Sequence, residues 1–123
     1  MDRYLLGQEK LKQVDGVGGE AVVESLKDIA PDVSKYILEF AFGDIYNRPG
    51  LDLKQREMIT ISALLVEGDT APQLKVHLNA ALNVGLTKNE IIETFIQCIP
   101  YIGFPRVLNA INVAREVFDT FDF

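Results

Sequence analysis

The sequence of 123 residues contains no tryptophan, one cysteine and one histidine. The lack of tryptophan excludes nothing by itself. The lone cysteine, Cys98, cannot close an intrachain disulfide, which removes the secreted disulfide scaffold from consideration. The single histidine, His77, has no second histidine four residues away and no Cys/His cluster around it. It therefore offers no recognisable zinc set, and neither a metal nor another cofactor is expected. Positive charge is scarce too, with 12 Lys and Arg against 18 Asp and Glu, a net charge of −6. Without a basic stripe to neutralise phosphates, nucleic acid is excluded as a partner. Apolar runs extend over only a few residues, far short of the ~20 that span a bilayer, so no membrane partner is expected. No charged segment followed by an apolar stretch opens the sequence. Secretion thus has no support, and a cytoplasmic location is the expectation.

What is present is ordinary for a globular protein: 48% hydrophobic and 24% charged residues, too apolar for disorder. The length suits one domain, residues 1–123, able to bury ~60–70% of the surface its unfolded chain exposes. No alternating strand pattern survives anywhere, so the fold class is all-α.

Taken in order, residues 1–14 place Tyr4, Leu5, Leu11 and Val14 at loosely helical spacing. The run Asp15-Gly16-Val17-Gly18-Gly19 is expected to break that helix, and a second short one follows from Glu20 to Ile29. From Pro31 to about Asn47, Val33, Tyr36, Ile37, Phe40 and Ala41 are expected to share the buried face. Three capping signatures then recur, Asp52 with Gln55, Thr70 with Gln73 and Thr87 with Glu90, spaced by 18 and 17 residues. They mark three successive helices of about four turns, joined at Gly68-Asp69 and Gly85-Leu86. The first is apolar almost all round, which predicts burial against several neighbours or another subunit. The second carries Leu74, His77, Leu78, Ala81 and Leu82 on one stripe, so His77 points inward. The third carries Ile91, Phe95, Cys98, Ile99 and Ile102, with a kink expected at Pro100. A last helix from Pro105 to about Phe118 uses Val107, Leu108, Ile111, Val113, Ala114 and Val117.

Three motifs in order carry a resemblance: Arg56-Glu57, then His77-Leu78-Asn79-Ala80-Ala81 running to Gly85-Leu86-Thr87, then Tyr101-Ile102-Gly103-Phe104-Pro105 with Asn109-Ala110. With them the chain resembles the carboxymuconolactone decarboxylase family from about Val33 to Phe118. The resemblance implies an orthogonal bundle of six or seven helices of the alkylhydroperoxidase-D type, with residues 1–30 as peripheral helices. It also implies self-association into rings, commonly a homohexamer built as a trimer of dimers. The redox branch of that family uses Cys-x-x-Cys-x-x-x-His with a glutamate on the preceding helix. Here the two cysteine positions are Thr70 and Gln73, so dithiol chemistry has no thiols to run on.

The decarboxylase branch remains, and the resemblance implies a carboxy-lyase for a small anionic lactone such as 4-carboxymuconolactone, or a related cyclic acid, in aromatic compound degradation. Decarboxylation needs groups to hold an anion, a place for the developing negative charge, and an acid to protonate carbon once CO₂ has left. His77 suits the acid because its unperturbed pKa is near neutrality. Glu57, one helix earlier, would orient the imidazole or shuttle the proton; equally, it would suit its helix N-terminus through the dipole alone. Arg56 or Arg106 would clamp a carboxylate, or serve as ion pairs. Tyr101 or Tyr46 would donate to the lactone oxygen, or pack. Cys98 reads as a small core hydrophobe. Two other functions stay open: a family member with redox or peroxidase-like activity, and a non-catalytic oligomeric binding protein in which His77 is packed.

Overall fold

The computed structural model describes residues 2–121, and every element among them is helical. The chain forms two compact units, Met1–Leu53 and Lys54–Phe123.

In the first unit, α1 spans Arg3–Leu26 and opens on Asp2, whose carboxylate accepts from the backbone N–H of Tyr4 at 2.7 Å. The break expected over Asp15–Gly19 shrinks to one residue: Gly16 alone leaves helical geometry, at φ 59° and ψ −137°. One glycine suffices because it alone reaches positive φ without a Cβ clash, while Gly18 and Gly19 accept helical angles at ~1 kcal/mol each. The helix also ends at Leu26, short of the expected Ile29.

Next, α2 (Pro31–Tyr36) runs directly into a π-helix (Ile37–Ile45). The buried face here is not the one the hydrophobic residues suggest. Ser34, Leu38 and Phe42 are buried, whereas Val33, Tyr36 and Phe40 are 46%, 62% and 58% exposed. The reason is polar: the Ser34 hydroxyl donates to the Val23 carbonyl of α1 at 2.7 Å, which turns that side of α2 inward. The wider turn of the π-helix then removes the 3.6-residue register on which the expectation depended. A Cβ on Gly7 would overlap the Leu38 carbonyl, and one on Gly43 would lie 2.7 Å from the Arg3 carbonyl oxygen, so the helices meet backbone to backbone. Arg3 closes this junction with a forked pair to Asp44, 2.7 and 3.0 Å. The Arg3 guanidinium holds the Asp44 carboxyl below its ordinary range.

The second unit contains α3 (Leu53–Glu67), α4 (Ala71–Asn83), α5 (Lys88–Ile102) and α6 (Phe104–Thr120). Both α4 and α5 lie against α6. Ile61 and Leu65 of α3 join Leu78, Phe95, Val107 and Ala114 in one core. On α6 the buried stripe is Val107, Ala110, Ala114 and Val117, while Leu108, expected inside, is 55% exposed. Alanine faces the core there because small side chains let neighbouring helices approach closely. On α5 the helix continues through Pro100 to Ile102 and stops at Gly103, at φ 83°. The apolar residues of α3 divide within this chain: Ile61 and Leu65 share the buried stripe with Glu57, Met58 and Leu64 pack partly buried against the same core, and Ile59 and Val66 are 56% and 43% exposed.

The end of α4 is a Schellman motif: Gly85 N–H donates to Leu82 and Leu86 N–H to Ala81, with Gly85 at φ 108°. At the start of α5 the capping box is complete. Thr87 Oγ1 accepts from Glu90 N–H at 3.0 Å and Glu90 Oε1 accepts from Thr87 N–H at 2.9 Å. That backbone bond lowers the Glu90 pKa below its ordinary value of 4.5. A depressed carboxylate stabilises the fold above its unfolded-state pKa, and the gain is lost as pH falls through the lower folded value. Thr87→Ala, which removes the capping hydroxyl but keeps the backbone N–H, should cost ~1 kcal/mol by chemical denaturation. Glu90→Gln removes the carboxylate itself, and its stability difference from the parent should narrow as the solution is acidified below Glu90's ordinary range.

Candidate active site

The site rests on α3 and α4 and on the sharp turn between them. Gly68 and Asp69 both have positive φ, 73° and 55°, so two consecutive residues take the left-handed conformation to reverse the chain. On α3, Glu57 lies on the inward face with Ile61 and Leu65 and is completely buried. On α4, His77 lies beside the buried Leu74 and Leu78, and its side chain is 20% exposed. The two side chains meet. His77 Nδ1 is 3.1 Å from Oε2 and 3.3 Å from Oε1 of Glu57. A carboxylate in its ionised form only accepts, and against that form Nδ1 is the donor, with Nε2 at the opposite edge of the ring.

The burial of Glu57 is costly unless its charge is compensated, and a carboxylate seldom sits in a helical core without such a partner. Here the compensation includes a group whose own charge is switchable. A buried carboxylate fixed against a partly exposed imidazole is the arrangement that holds a histidine in one tautomer and stabilises its protonated form.

The other candidates fall elsewhere. Arg106 is exposed; its Nη1 donates to the Val66 carbonyl at 2.9 Å, and its Nε would lie 2.9 Å from a Cβ at Gly68. It borders a cavity of about 230 Å³ with Asp69, Thr70 and Asn109, whose lining includes neither Glu57 nor His77. Tyr101 is 80% exposed, so it is not a packing residue of this chain. Tyr46 belongs to the first unit, where its ring stacks on Phe42 with centroids 4.6 Å apart. Arg56 is half-buried on α3, and its carbonyl accepts from Thr60 Oγ1 at 2.8 Å. Cys98 is half-buried against the core of the second unit, as a small hydrophobe would be.

Thr70 was expected to cap α4, and it does not. Its side chain makes no cap bond; instead Oγ1 donates backwards to the Leu64 carbonyl of α3 at 2.6 Å. The left-handed pair before it aims the hydroxyl at α3 rather than along α4. The Gly-Asp dipeptide just before Thr70 was the sequence signal for that turn, though not for its direction.

Fold and site thus define a protein whose elements among the described residues are all helical, with a buried carboxylate against a partly exposed imidazole on two successive helices. The model of the carboxymuconolactone decarboxylase family matches residues 31–116. A 4-carboxymuconolactone decarboxylase of Acinetobacter baylyi is 38% identical over 96 residues, covering 78% of this chain and 71% of the relative. An uncharacterized 15.0 kDa protein of Paracoccus denitrificans is 34% identical over 113 residues, 91% of this chain and 84% of its own. A nitrosuccinic acid decarboxylase of Metarhizium robertsii is 32% identical over 105 residues, 83% of this chain and 73% of the relative. The chain belongs to the carboxymuconolactone decarboxylase family.

Proposed function

We propose that the protein is a carboxy-lyase that removes CO₂ from a small anionic lactone or related acid, with His77 as the proton donor and Glu57 as the group that orients and charges it. The observation that supports this reading is the approach of His77 Nδ1 to both oxygens of the fully buried Glu57 carboxylate. The names of two relatives, decarboxylases for 4-carboxymuconolactone and for nitrosuccinic acid, point to the same reaction type. In the reaction the C–C bond to the carboxylate breaks and its electron pair stays on the substrate as a delocalised anion. CO₂ departs, and that carbon takes a proton from His77 Nε2. Glu57 stabilises the imidazolium before the transfer and keeps Nδ1 protonated after it, and solvent returns the proton to Nε2. Holding the pair in place beforehand lowers the reorganisation needed when charge develops. Incubation of the protein with 4-carboxymuconolactone, followed by CO₂ release, tests the reading. Turnover is expected, and its absence rejects that substrate.

Self-association, as a trimer of dimers, is part of the proposal. Its support is the outward side of α3, where Met58, Ile59, Ala63 and Val66 border a shallow concavity. Ile59 and Val66 are exposed there at 56% and 43%, on the side of α3 away from the buried stripe of Glu57, Ile61 and Leu65. Ile59→Asp should shift the mass measured by light scattering after size exclusion from an oligomer to smaller species. A parent protein that elutes as a monomer would reject this part of the proposal.

A further inference from the structure

We infer that the Thr70 hydroxyl and the Arg106 guanidinium lock the register of α3 against α4, and that this lock is what holds His77 Nδ1 against Glu57. The inference rests on the acid–base reading above and names the positioning residues of the same site.

The geometry is symmetrical along the hairpin. Leu64 follows Glu57 by seven residues and Thr70 precedes His77 by seven, so the Thr70–Leu64 and Glu57–His77 contacts bound equal spans on the two sides of the turn. Seven residues are close to two turns, about 10.5 Å, which keeps each pair of positions on one helix face. A slip of one residue at the turn end would move the other end by about 1.5 Å and rotate it by roughly 100°, enough to remove the His77–Glu57 contact.

The turn itself would not hold that register. It contains two consecutive residues in the left-handed region, one of them not glycine, a conformation costing ~1 kcal/mol that persists only where the surroundings impose it. The imposing groups are a hydroxyl and an amide donor on one carbonyl and a guanidinium on another. Leu64 O accepts from Thr70 Oγ1 at 2.6 Å and from Gly68 N–H at 3.2 Å, and Val66 O accepts from Arg106 Nη1 at 2.9 Å. Thus the last turn of α3 is tied to the first residue before α4 and to α6. Thr70 stands at the N-cap position of α4 yet makes no cap bond, so its hydroxyl is spent on the lock alone.

Because the chain has one histidine, its ring resonances are unambiguous. The full chain, labelled with ¹⁵N-histidine, is compared with Thr70→Val, Thr70→Ser, Arg106→Gln and Glu57→Gln in long-range ¹H–¹⁵N spectra, without substrate. Thr70→Val keeps the shape of threonine and removes no cap. It is expected to move the His77 ring signals towards those of Glu57→Gln, and to lower kcat about tenfold with KM little changed. Thr70→Ser should restore both. Wild-type His77 signals in Thr70→Val, or equal damage in Thr70→Ser, would overturn the lock. Should Thr70→Val fail to fold, the exposed Arg106→Gln carries the test: a shift in the same direction supports the lock and unchanged signals overturn it. Since the spectra need no turnover, failure on every substrate rejects the carboxy-lyase reading alone, and unchanged spectra reject the lock alone.

Discussion

His77→Ala should lower kcat for decarboxylation by about 10²- to 10⁴-fold, the range associated with losing a positioned general acid. KM should change far less, because in the proposed mechanism the imidazole acts when the carbon is protonated and not when the substrate docks. Glu57→Gln keeps the shape of the side chain but not its charge. It should leave His77 in place with a poorer proton inventory, so kcat falls while the protein stays folded. The stability of the pair gives an independent reading. Truncating His77 takes one partner from a carboxylate with no exposure, and a cost of ~1–3 kcal/mol is expected. A double-mutant cycle on Glu57 and His77 should show a coupling energy between ~0.5 and 3 kcal/mol. Full activity in His77→Ala, by CO₂ release at saturating substrate, would remove the histidine from the mechanism.

Gly7→Ala should be among the most disruptive single substitutions in the first unit. The added Cβ would overlap the carbonyl oxygen of Leu38, and a backbone atom cannot step aside as a side chain can. The π-helix would have to withdraw from α1, exposing side chains such as Leu11, Leu38 and Phe42 that are now buried. Overpacking of this kind is expected to cost ~3 kcal/mol or more, a fall in Tm of roughly 10 °C. Gly18→Ala is the matched control in the same helix. Nothing lies within 4 Å of its Cβ position, so alanine there should be neutral or stabilising by up to ~1 kcal/mol. A Gly7→Ala variant as stable as the parent, or no less stable than Gly18→Ala, would show that the close approach to Leu38 does not constrain Gly7.

The Arg3–Asp44 fork adds a pH dependence in the same unit. Asp44 is held below its ordinary value of 3.8 mainly by the hydrogen bond from Arg3. Its contribution is present above that value and lost as pH falls through the lower folded one, while Arg3 stays charged throughout. Acid denaturation of Arg3→Gln should accordingly begin at a higher pH than that of the parent.

Helix boundaries were legible where local chemistry decides them. Thr87 with Glu90 and Gly85 with Leu86 satisfy orphan backbone groups within a few residues, and both motifs stand where the pattern put them. Faces were less legible. Ser34 turned α2 inward through a hydroxyl bonded eleven residues back, and the π-helix that follows has no periodic signature. On α6, Ala110 was buried in place of Leu108 because the space available, not hydrophobicity, selects the residue at a close helix crossing. Within the site, Glu57 was readable as an inward carboxylate on α3. Its pairing with His77, twenty residues away, was an expectation carried by the family resemblance, while the complete burial of the carboxylate and the approach of both its oxygens to Nδ1 were not readable from local pattern.

By itself the sequence determined that the chain is helical, where α5 begins and α4 ends, which family's motifs it carries, and that Thr70 and Gln73 stand where a redox relative would have thiols. These follow from residue identity and from interactions spanning one or two helical turns. Only the tertiary structure decided that Glu57 is wholly buried against His77, that Arg106 and Thr70 are bound to carbonyls of α3, and that Tyr101 faces outward. Those outcomes depend on how whole helices pair. An error of one residue in that pairing rotates a side chain by roughly 100°, and the local pattern does not encode the pairing.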